Sequence, residues 1–539
     1  MLDIYRDGWI TARMQDGSLL QTGVRGCFEH ADQIQDIFVD GVTTAMDNAS
    51  VFSLLEVFLC RVTRLLDEVD KYELFLQGKF DSSMMQKLDA YVKSCEEKGI
   101  SFDIFDEKRP FLQNAQIPAK VSPSAVSSLD AVMLSGNNSV FHAGSLKNGR
   151  NIEDQYVLTK GQYTASVLRN CQFRIASGGG YSPSGLCSGQ PPLYLIPEGR
   201  DLFETLVMSL HCYDSKETSE KDLPLWEQPG LPVDIPKLIT DHALGYCAAM
   251  FLPAVGMHYG KVERDKVSTV YTWNTAELYK RFGDKEYKAH IPSDPGNANV
   301  MLEQCTNFLV FDNKKGTKSV CTFSADRDLL LDLFRFDIKD LSGRFRYFGY
   351  NSLEAAKFIQ TVKTDIGGDV PDKIPCRIYG LRMLKKGEPQ PAQMTAKVEL
   401  PTSIMANENT YKECAIFVKK LDSMVRELRY VLFRLDMDMT YDKGKDGANK
   451  AKQIDDGHIK ENITQMTKQY ADYLHDRCIN GWLQKVADAK EAQEEYLEDA
   501  FQEALRIYDQ YPVLDRNYIR QIQWKGLLNY RLRKAMSDD

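Results

Sequence analysis

At 539 residues the chain is long enough for roughly two to four domains and a sizeable core. Hydrophobic residues at 43% and charged residues at 27% are ordinary globular usage and exclude a low-complexity or fibrous chain. A net charge of −9 with an isoelectric point near 5.6 excludes nucleic-acid binding through bulk positive charge and leaves only local basic patches for it.

Taken in chain order, the N-terminal MLDIYRDGWITAR carries early charges and no apolar stretch, and so does not read as a signal peptide. Helical periodicity appears over Ser53–Leu66 and again over Leu202–Leu210. Segments 134–155, 176–192 and 213–237 are rich in Gly, Pro, Ser and Asn and read as long loops, a class that is usually functional or disordered. The apolar run Cys247–Met257 is far short of the roughly 20 residues that span a bilayer. Asn307–Asp312 and Ser319–Phe323 alternate as strands, with Asn313–Gly316 as the turn between them. Twelve cysteines, from Cys27 to Cys478, lack any C-x-x-C and are expected to be reduced, buried thiols of a cytoplasmic protein.

The character changes after Pro401. Apolar stripes run through Cys414, Phe417, Leu421, Val425, Leu428, Leu432 and Leu435, then through Ile463, Met466, Tyr470 and Leu474. Two more follow, Leu497, Phe501, Leu505, Tyr508 and Tyr518, Ile522, Leu527, Leu532. The expected fold is therefore α+β: a large mixed domain over 1–402 with long loops, then an antiparallel four-helix bundle over 403–539.

The stretch Arg174–Pro192, RIASGGGYSPSGLCSGQPP, brings three consecutive glycines together. Glycine lets a main chain approach a partner more closely than any other residue does. A phosphate-binding P-loop is excluded, because Leu186 and Cys187 stand where Lys and Ser/Thr belong. Eight histidines form no H-E-x-x-H, no G-x-S-x-G elbow occurs, and His242 beside Asp241 and His475 beside Asp476 read as structural. No cofactor, metal or catalytic residue is expected, which favours a binding protein over an enzyme.

Several stretches, in order, resemble the CasA family, the large subunits of type I-E CRISPR surveillance complexes (Cascade). They are GWITAR (Gly8–Arg13), FDIFDEKRPFLQ (Phe102–Gln113), LSGNNSVFHAG (Leu134–Gly144), GQYTASVLRNCQ with SGGGYSPSG (Gly161–Gly185), and PLWEQP (Pro224–Pro229). The terminal helices fit as well. The resemblance implies that Gly179, with Gly178 and Gly180 beside it, meets the minor groove of the protospacer-adjacent motif in double-stranded target DNA. That groove is only about 6 Å wide and separates A·T from G·C coarsely. It further implies a groove-reaching Lys280 or Arg281. A wedge hairpin over Tyr379–Met394 is implied too, with Lys385, Lys386 and Gly387 at its turn and Gln390 or Gln393 as wedge. The loop bearing Asn137, Asn138, Phe141 and His142 would touch the 5′ end of the guide RNA and the backbone subunits. Small subunits and a helicase-nuclease recruited on target binding complete the implied partners; no membrane is among them. In the last helix Arg520, Lys525, Arg531, Arg533 and Lys534 form a basic face, either a solvated surface or a contact with nucleic acid or a neighbouring subunit. Two other readings remain: a purely architectural subunit of a ribonucleoprotein, and a nucleotide-dependent transferase using loop 174–192.

Overall fold

The computed structural model describes residues 1–41, 45–113, 115, 117, 122–126, 157–173, 194–228, 235–251, 257–263, 266–273, 310–312, 318–320, 358–362, 373–381, 393–405, 407–440, 456–489, 491–512 and 518–537. They fall into two compact units, one drawn from Met1–Asp326 and Ser342–Leu400, the other from Arg327–Leu341 and Pro401–Asp539. Helices and sheets occur in separate runs, so the chain is α+β.

In the first unit β1 (Ile10–Met14) lies between β2 (Leu19–Thr22) and β3 (Ile34–Phe38), antiparallel to both. Helix α1 (Val24–Glu29) joins β2 to β3, and α2 (Ala45–Thr63) follows. The predicted helix over Ser53–Leu66 is the second half of α2, which begins earlier and ends before Arg64, whose φ is 48°. Leu54, Leu55, Val57, Phe58, Leu59 and Cys60 are all at most 1% exposed, so α2 is buried around its circumference and serves as the axis of the unit. Around it lie α3 (Glu68–Leu76) and α4 (Ser82–Glu97), capped by the carboxylates of Asp67 and Asp81.

Further along, β4 (Ser124–Ala125) and β5 (Leu158–Thr159) precede α5 (Lys160–Phe173), and β6 (Tyr194–Pro197) precedes α6 (Leu202–Ser209), close to the predicted Leu202–Leu210. Segment 213–237, expected as a loop, instead holds α7 (Lys216–Lys221) and a 3-10 turn at Leu225–Glu227. The Ser215 hydroxyl caps α7 by accepting from the Thr218 N–H at 3.2 Å, a local signal outweighed by the surrounding polar composition. Two short helices follow, α8 (Ile235–Thr240) and α9 (Tyr246–Phe251). Strand β8 (Lys266–Trp273) pairs with β4, β5 and β7 (Met257–Glu263). The predicted strand pair is present as β9 (Val310–Asp312) antiparallel to β10 (Lys318–Val320). Finally β11 (Lys373–Leu381) sits between β6 and β12 (Gln393–Pro401).

The second unit contains α10 (Thr402–Met405), α11 (Glu408–Thr440), α12 (Asp456–Arg477), α13 (Leu483–Asp488), α14 (Ala492–Asp509) and α15 (Tyr518–Ser537). Four of these are long, as the stripes predict, and α11 packs against α12, α14 and α15. Between α12 and α13 the chain makes a π-turn at Cys478–Trp482, where Gly481 takes φ 144°, a value that suits glycine. The last stripe is corrected: Tyr518 and Ile522 are 61% and 54% exposed, and the buried face is Leu528, Leu532 and Ala535. Steps of five, from Ile522 to Leu527 and on to Leu532, walk around a helix instead of holding one face.

Candidate nucleic-acid interface

The glycine-rich segment leaves the described fold at the end of α5 and rejoins it at β6, and both flanks are fastened to one side chain. Ser53 on α2 accepts a hydrogen bond from Gln172 Nε2 at 2.6 Å and donates to the Tyr194 hydroxyl at 2.7 Å. Tyr194 in turn donates to Glu56 Oε2 at 2.9 Å, which also takes the Tyr246 hydroxyl at 2.8 Å. Below this network, Arg169 of α5 lies 3.6 Å from Asp47 of α2, both essentially without solvent exposure. A buried ion pair of this kind holds orientation more than it adds stability. The segment 174–193 therefore starts and ends on one rigid base.

Among the described residues, most of those that carry the family-like motifs are core. Trp9 donates its indole N–H to the Ile4 carbonyl at 2.9 Å. Gln113 donates to the Ile104 carbonyl at 2.6 Å and accepts from the Tyr163 hydroxyl of α5 at 2.6 Å, which ties the 102–113 stretch to the 161–172 stretch. Trp226 stacks on Phe58 with ring centroids 5.3 Å apart, and lies 5.2 Å from Phe111. Next to it Glu227 accepts from Arg61 at 2.8 and 3.1 Å and from the Tyr91 hydroxyl at 2.6 Å. Burial pushes the Glu227 carboxyl up; the hydrogen bond and charge of Arg61, with the Tyr91 hydroxyl, outweigh that and hold it below its ordinary value. Asp222 differs. Burial keeps its carboxyl raised despite the Tyr213 hydroxyl at 2.7 Å and the Ala248 and Cys247 N–H groups at 2.8 Å.

The residues expected to touch partners fall mostly elsewhere. Asn137, Asn138, Phe141 and His142, the triplet Gly178, Gly179 and Gly180, the pair Lys280 and Arg281, and Lys385, Lys386, Gly387 and Gln390 lie outside the described residues. Gln393 is the first residue of β12, and β11 and β12 are neighbours in their sheet, so the two arms of the 379–394 stretch lie side by side.

The basic face of α15 is described, and much of its charge is engaged. Lys525 pairs with Asp509 at 2.5 Å, Arg533 with Glu498 at 2.6 Å, and Arg531 with Glu427. Arg531 and Arg533 also lie over the rings of Tyr430 and Phe501, at 4.4 and 4.2 Å. Arg520 is half-buried, and Lys534 is exposed in the last turn. These acids come from α11 and α14, so counting charge along α15 alone overstates its free positive charge.

One concave feature of the first unit is structural. A cavity of about 350 Å³ in the first unit is lined by Arg13, Asp36, Glu198, Arg377, Tyr379 and Lys397. Arg377 in its lining is taken by Asp36 at 2.8 Å, the Tyr379 hydroxyl at 3.0 Å and Glu198, which pin β3 to β11. Among the described residues no group of three His, Cys, Asp or Glu could hold a metal ion, and no helix is long and apolar enough to cross a membrane. Burial raises the Cys171 thiol to about 12 and raises Cys27 and Cys376 further, which makes them inert.

Sequence reasoning missed Ser53, Glu56, Asp47 and Arg61. Ser53, Glu56 and Arg61 stand within the apolar stripe over Ser53–Leu66, where a polar residue was the signal available for them; Asp47 lies before that stripe.

The sequence profile of the family described as CRISPR-associated protein Cse1 matches residues 3–254. No curated protein matches the chain. Among solved structures, CasA of Thermus thermophilus is 15% identical with a TM-score of 0.64, over 98% of this chain and 99% of that one. Cse1 of Thermobifida fusca is 13% identical with a TM-score of 0.64, over 99% and 98%. A chain described as CRISPR RNA-guided surveillance complex is 16% identical with a TM-score of 0.59, over 100% and 99%. At these identities the likeness is one of fold.

Proposed function

We propose, for a chain that belongs to the CRISPR-associated Cse1 family through residues 3–254, that it is the large subunit of a type I-E CRISPR surveillance complex. Within that complex it reads the protospacer-adjacent motif of double-stranded target DNA through the minor groove, helps start duplex opening, and recruits a helicase-nuclease. Guide pairing supplies sequence specificity, and the protein reads only the short motif beside the target. Its partners are the guide RNA, the target duplex and the other subunits; its C-terminal unit acts as an antiparallel four-helix bundle; it performs no catalysis of its own.

The observation that carries this reading is the attachment of both flanks of segment 174–193 to Ser53. A groove-reading backbone needs a fixed base, because contacts to base edges discriminate only when the register is held. Gly179 is the contact residue and Gly178 and Gly180 keep its neighbourhood bare. The test is gel-shift binding of the assembled complex, carrying its guide, to duplexes with and without the motif. Gly179→Asp adds bulk and negative charge at the groove and should abolish motif-dependent binding while the chain stays folded. Unchanged target binding by a folded variant complex would refute the minor-groove role.

A purely architectural role is the second reading, favoured by the burial of Trp9, Phe111, Tyr163 and Trp226. It predicts equal binding of the two duplexes.

A further inference from the structure

Helix α3 is turned inside out for a surface helix. Its one cation, Lys71, is 1% exposed, whereas Val69 and Leu76 are 63% and 52% exposed. Leu66, just before the capping Asp67, is exposed as well. Lys71 and Leu74 lie on the buried side, and the helix packs against α6. The Lys71 ammonium sits 5.0 Å from the centroid of the Phe358 ring and 3.9 Å from Glu68, and Phe75 meets the same ring edge-on at 5.2 Å. Lysine is almost never buried without partners of this kind. Each residue turns about 100° around a helix, so Val69 and Leu76 share one line, with half-buried Tyr72 beside them, opposite Lys71. Half a turn of rotation would bury the two apolar side chains and free the ammonium, yet the fold holds the reverse. Such a departure from the inside–outside rule is expected at functional positions.

Carboxylates border the exposed apolar line. Glu68 lies on one flank and Asp70 and Glu73 on the other, all three exposed. Among the described residues Asp70 and Glu73 have no cationic partner. From Leu66 to Lys79 the one exposed cation is Lys79, past the end of the helix. That charge selects the occupant. Phosphates and anionic lipid headgroups are repelled. Two copies of this face meeting about a two-fold axis would set Asp70 and Glu73 of one against the same acids of the other. What matches is an apolar ridge with Lys or Arg along its sides, the contact face of a basic amphipathic helix.

We infer that the outer face of α3 docks a basic amphipathic helix of another protein, with Val69 and Leu76 taking its apolar ridge and Asp70 and Glu73 its cations. From Val69 to Leu76 the face runs about 10 Å at the helical rise. So small a contact makes the association weak and reversible. It does not involve the glycine-rich segment and does not rest on the reading of the target motif.

The test is fluorescence anisotropy of the full-length chain with a labelled leucine–lysine peptide of about four helical turns, its leucines on one face. A scrambled peptide of the same composition is the reference. The ordered peptide should bind about fivefold or more tightly than the scrambled one, because only its leucines reach the apolar line together. Val69→Ser with Leu76→Ser should remove that preference and leave the unfolding temperature unchanged. Asp70→Lys with Glu73→Lys should lower affinity about tenfold or more and flatten its salt dependence. Glu494→Lys with Glu495→Lys, at exposed positions on α14, makes the same change in net charge and should alter binding by less than about twofold. A photoreactive leucine in the peptide should cross-link to the stretch Leu66–Leu76 of the unaltered chain, a readout that needs no variant. The inference is overturned if ordered and scrambled peptides bind alike, if the α14 pair weakens binding as much as the α3 pair, or if cross-links map only elsewhere. It is equally overturned if Val69→Ser with Leu76→Ser turns a dimer of the chain into a monomer in sedimentation, which makes a second copy the occupant. Binding of the chain to phosphatidylcholine vesicles that the same variant abolishes would overturn it too, in favour of a lipid surface.

Discussion

Ser53 shows how much one small polar residue carries in this fold. Its hydroxyl is buried and shared between the end of α5 and the start of β6. Ser53→Ala leaves the Gln172 amide and the Tyr194 hydroxyl short of a partner in a dry site, at a cost of about 1–3 kcal/mol. The expected result is a lower urea midpoint with an unchanged slope. Glu227 is the second such residue. Its folded carboxyl lies below its ordinary value of 4.5. The stability it contributes is therefore fully present above that value and is lost as pH falls through the lowered one. Glu227→Gln should flatten the acid side of the stability profile, measured by urea unfolding at a series of pH values from neutral into the acid range. Arg61→Ala, which leaves the buried carboxylate uncompensated, should cost about 3–5 kcal/mol at neutral pH.

Helices α2 and α15 mark the two extremes among the elements. Every turn of α2 is covered, and Phe58 alone meets Tyr5, Tyr91, Phe102 and Trp226. Phe58→Ala should cost about 3–5 kcal/mol, because so crowded a site cannot collapse around the missing ring. In α15 the sequence stripe and the packed face disagree, and mutation separates them. Ile522→Ser, at a stripe position that is exposed, should stay within about 0.5 kcal/mol of the parent. Leu528→Ala, off the stripe and fully buried, should cost about 2–5 kcal/mol. Thermal unfolding of the two variants side by side checks the assignment. Gly23 marks a third kind of constraint. A Cβ there would sit 2.6 Å from the Tyr5 carbonyl oxygen and 2.8 Å from that of Asp7, both backbone atoms. Gly23→Ala should therefore cost about 1–3 kcal/mol through overpacking where β2 turns into α1.

For the whole molecule, the proposed role predicts a division of labour. Purified chain incubated with duplex DNA and divalent metal should leave the DNA intact, and degradation should appear only when a helicase-nuclease is added to the target-bound complex. Metal-dependent cleavage by the chain alone, lost on substituting His242 or His475, would contradict this.

The amino-acid sequence by itself determined the α+β class of the fold and the position of α6, of the second half of α2 and of the four long C-terminal helices. Apolar spacing is a local property, and the stripes of α11, α12 and α14 follow from it directly. It also carried the resemblance to the CasA family, through GWITAR, FDIFDEKRPFLQ and PLWEQP. The structure explains why these are recognisable: Trp9, Phe111, Gln113 and Trp226 pack against or bond to fixed neighbours. What only the tertiary structure decided is which charges are free. Lys525, Arg531 and Arg533 of α15 are met by acids from α11 and α14, and two acids of α11 turn to partners far along the chain, Glu427 to Arg531 and Asp436 to Tyr511. Coulomb pairing acts over a few ångströms of space whatever the separation along the chain, so charge counted along a sequence does not reveal a surface potential. The same reason hid Ser53, whose two long-range partners lie 119 and 141 residues away.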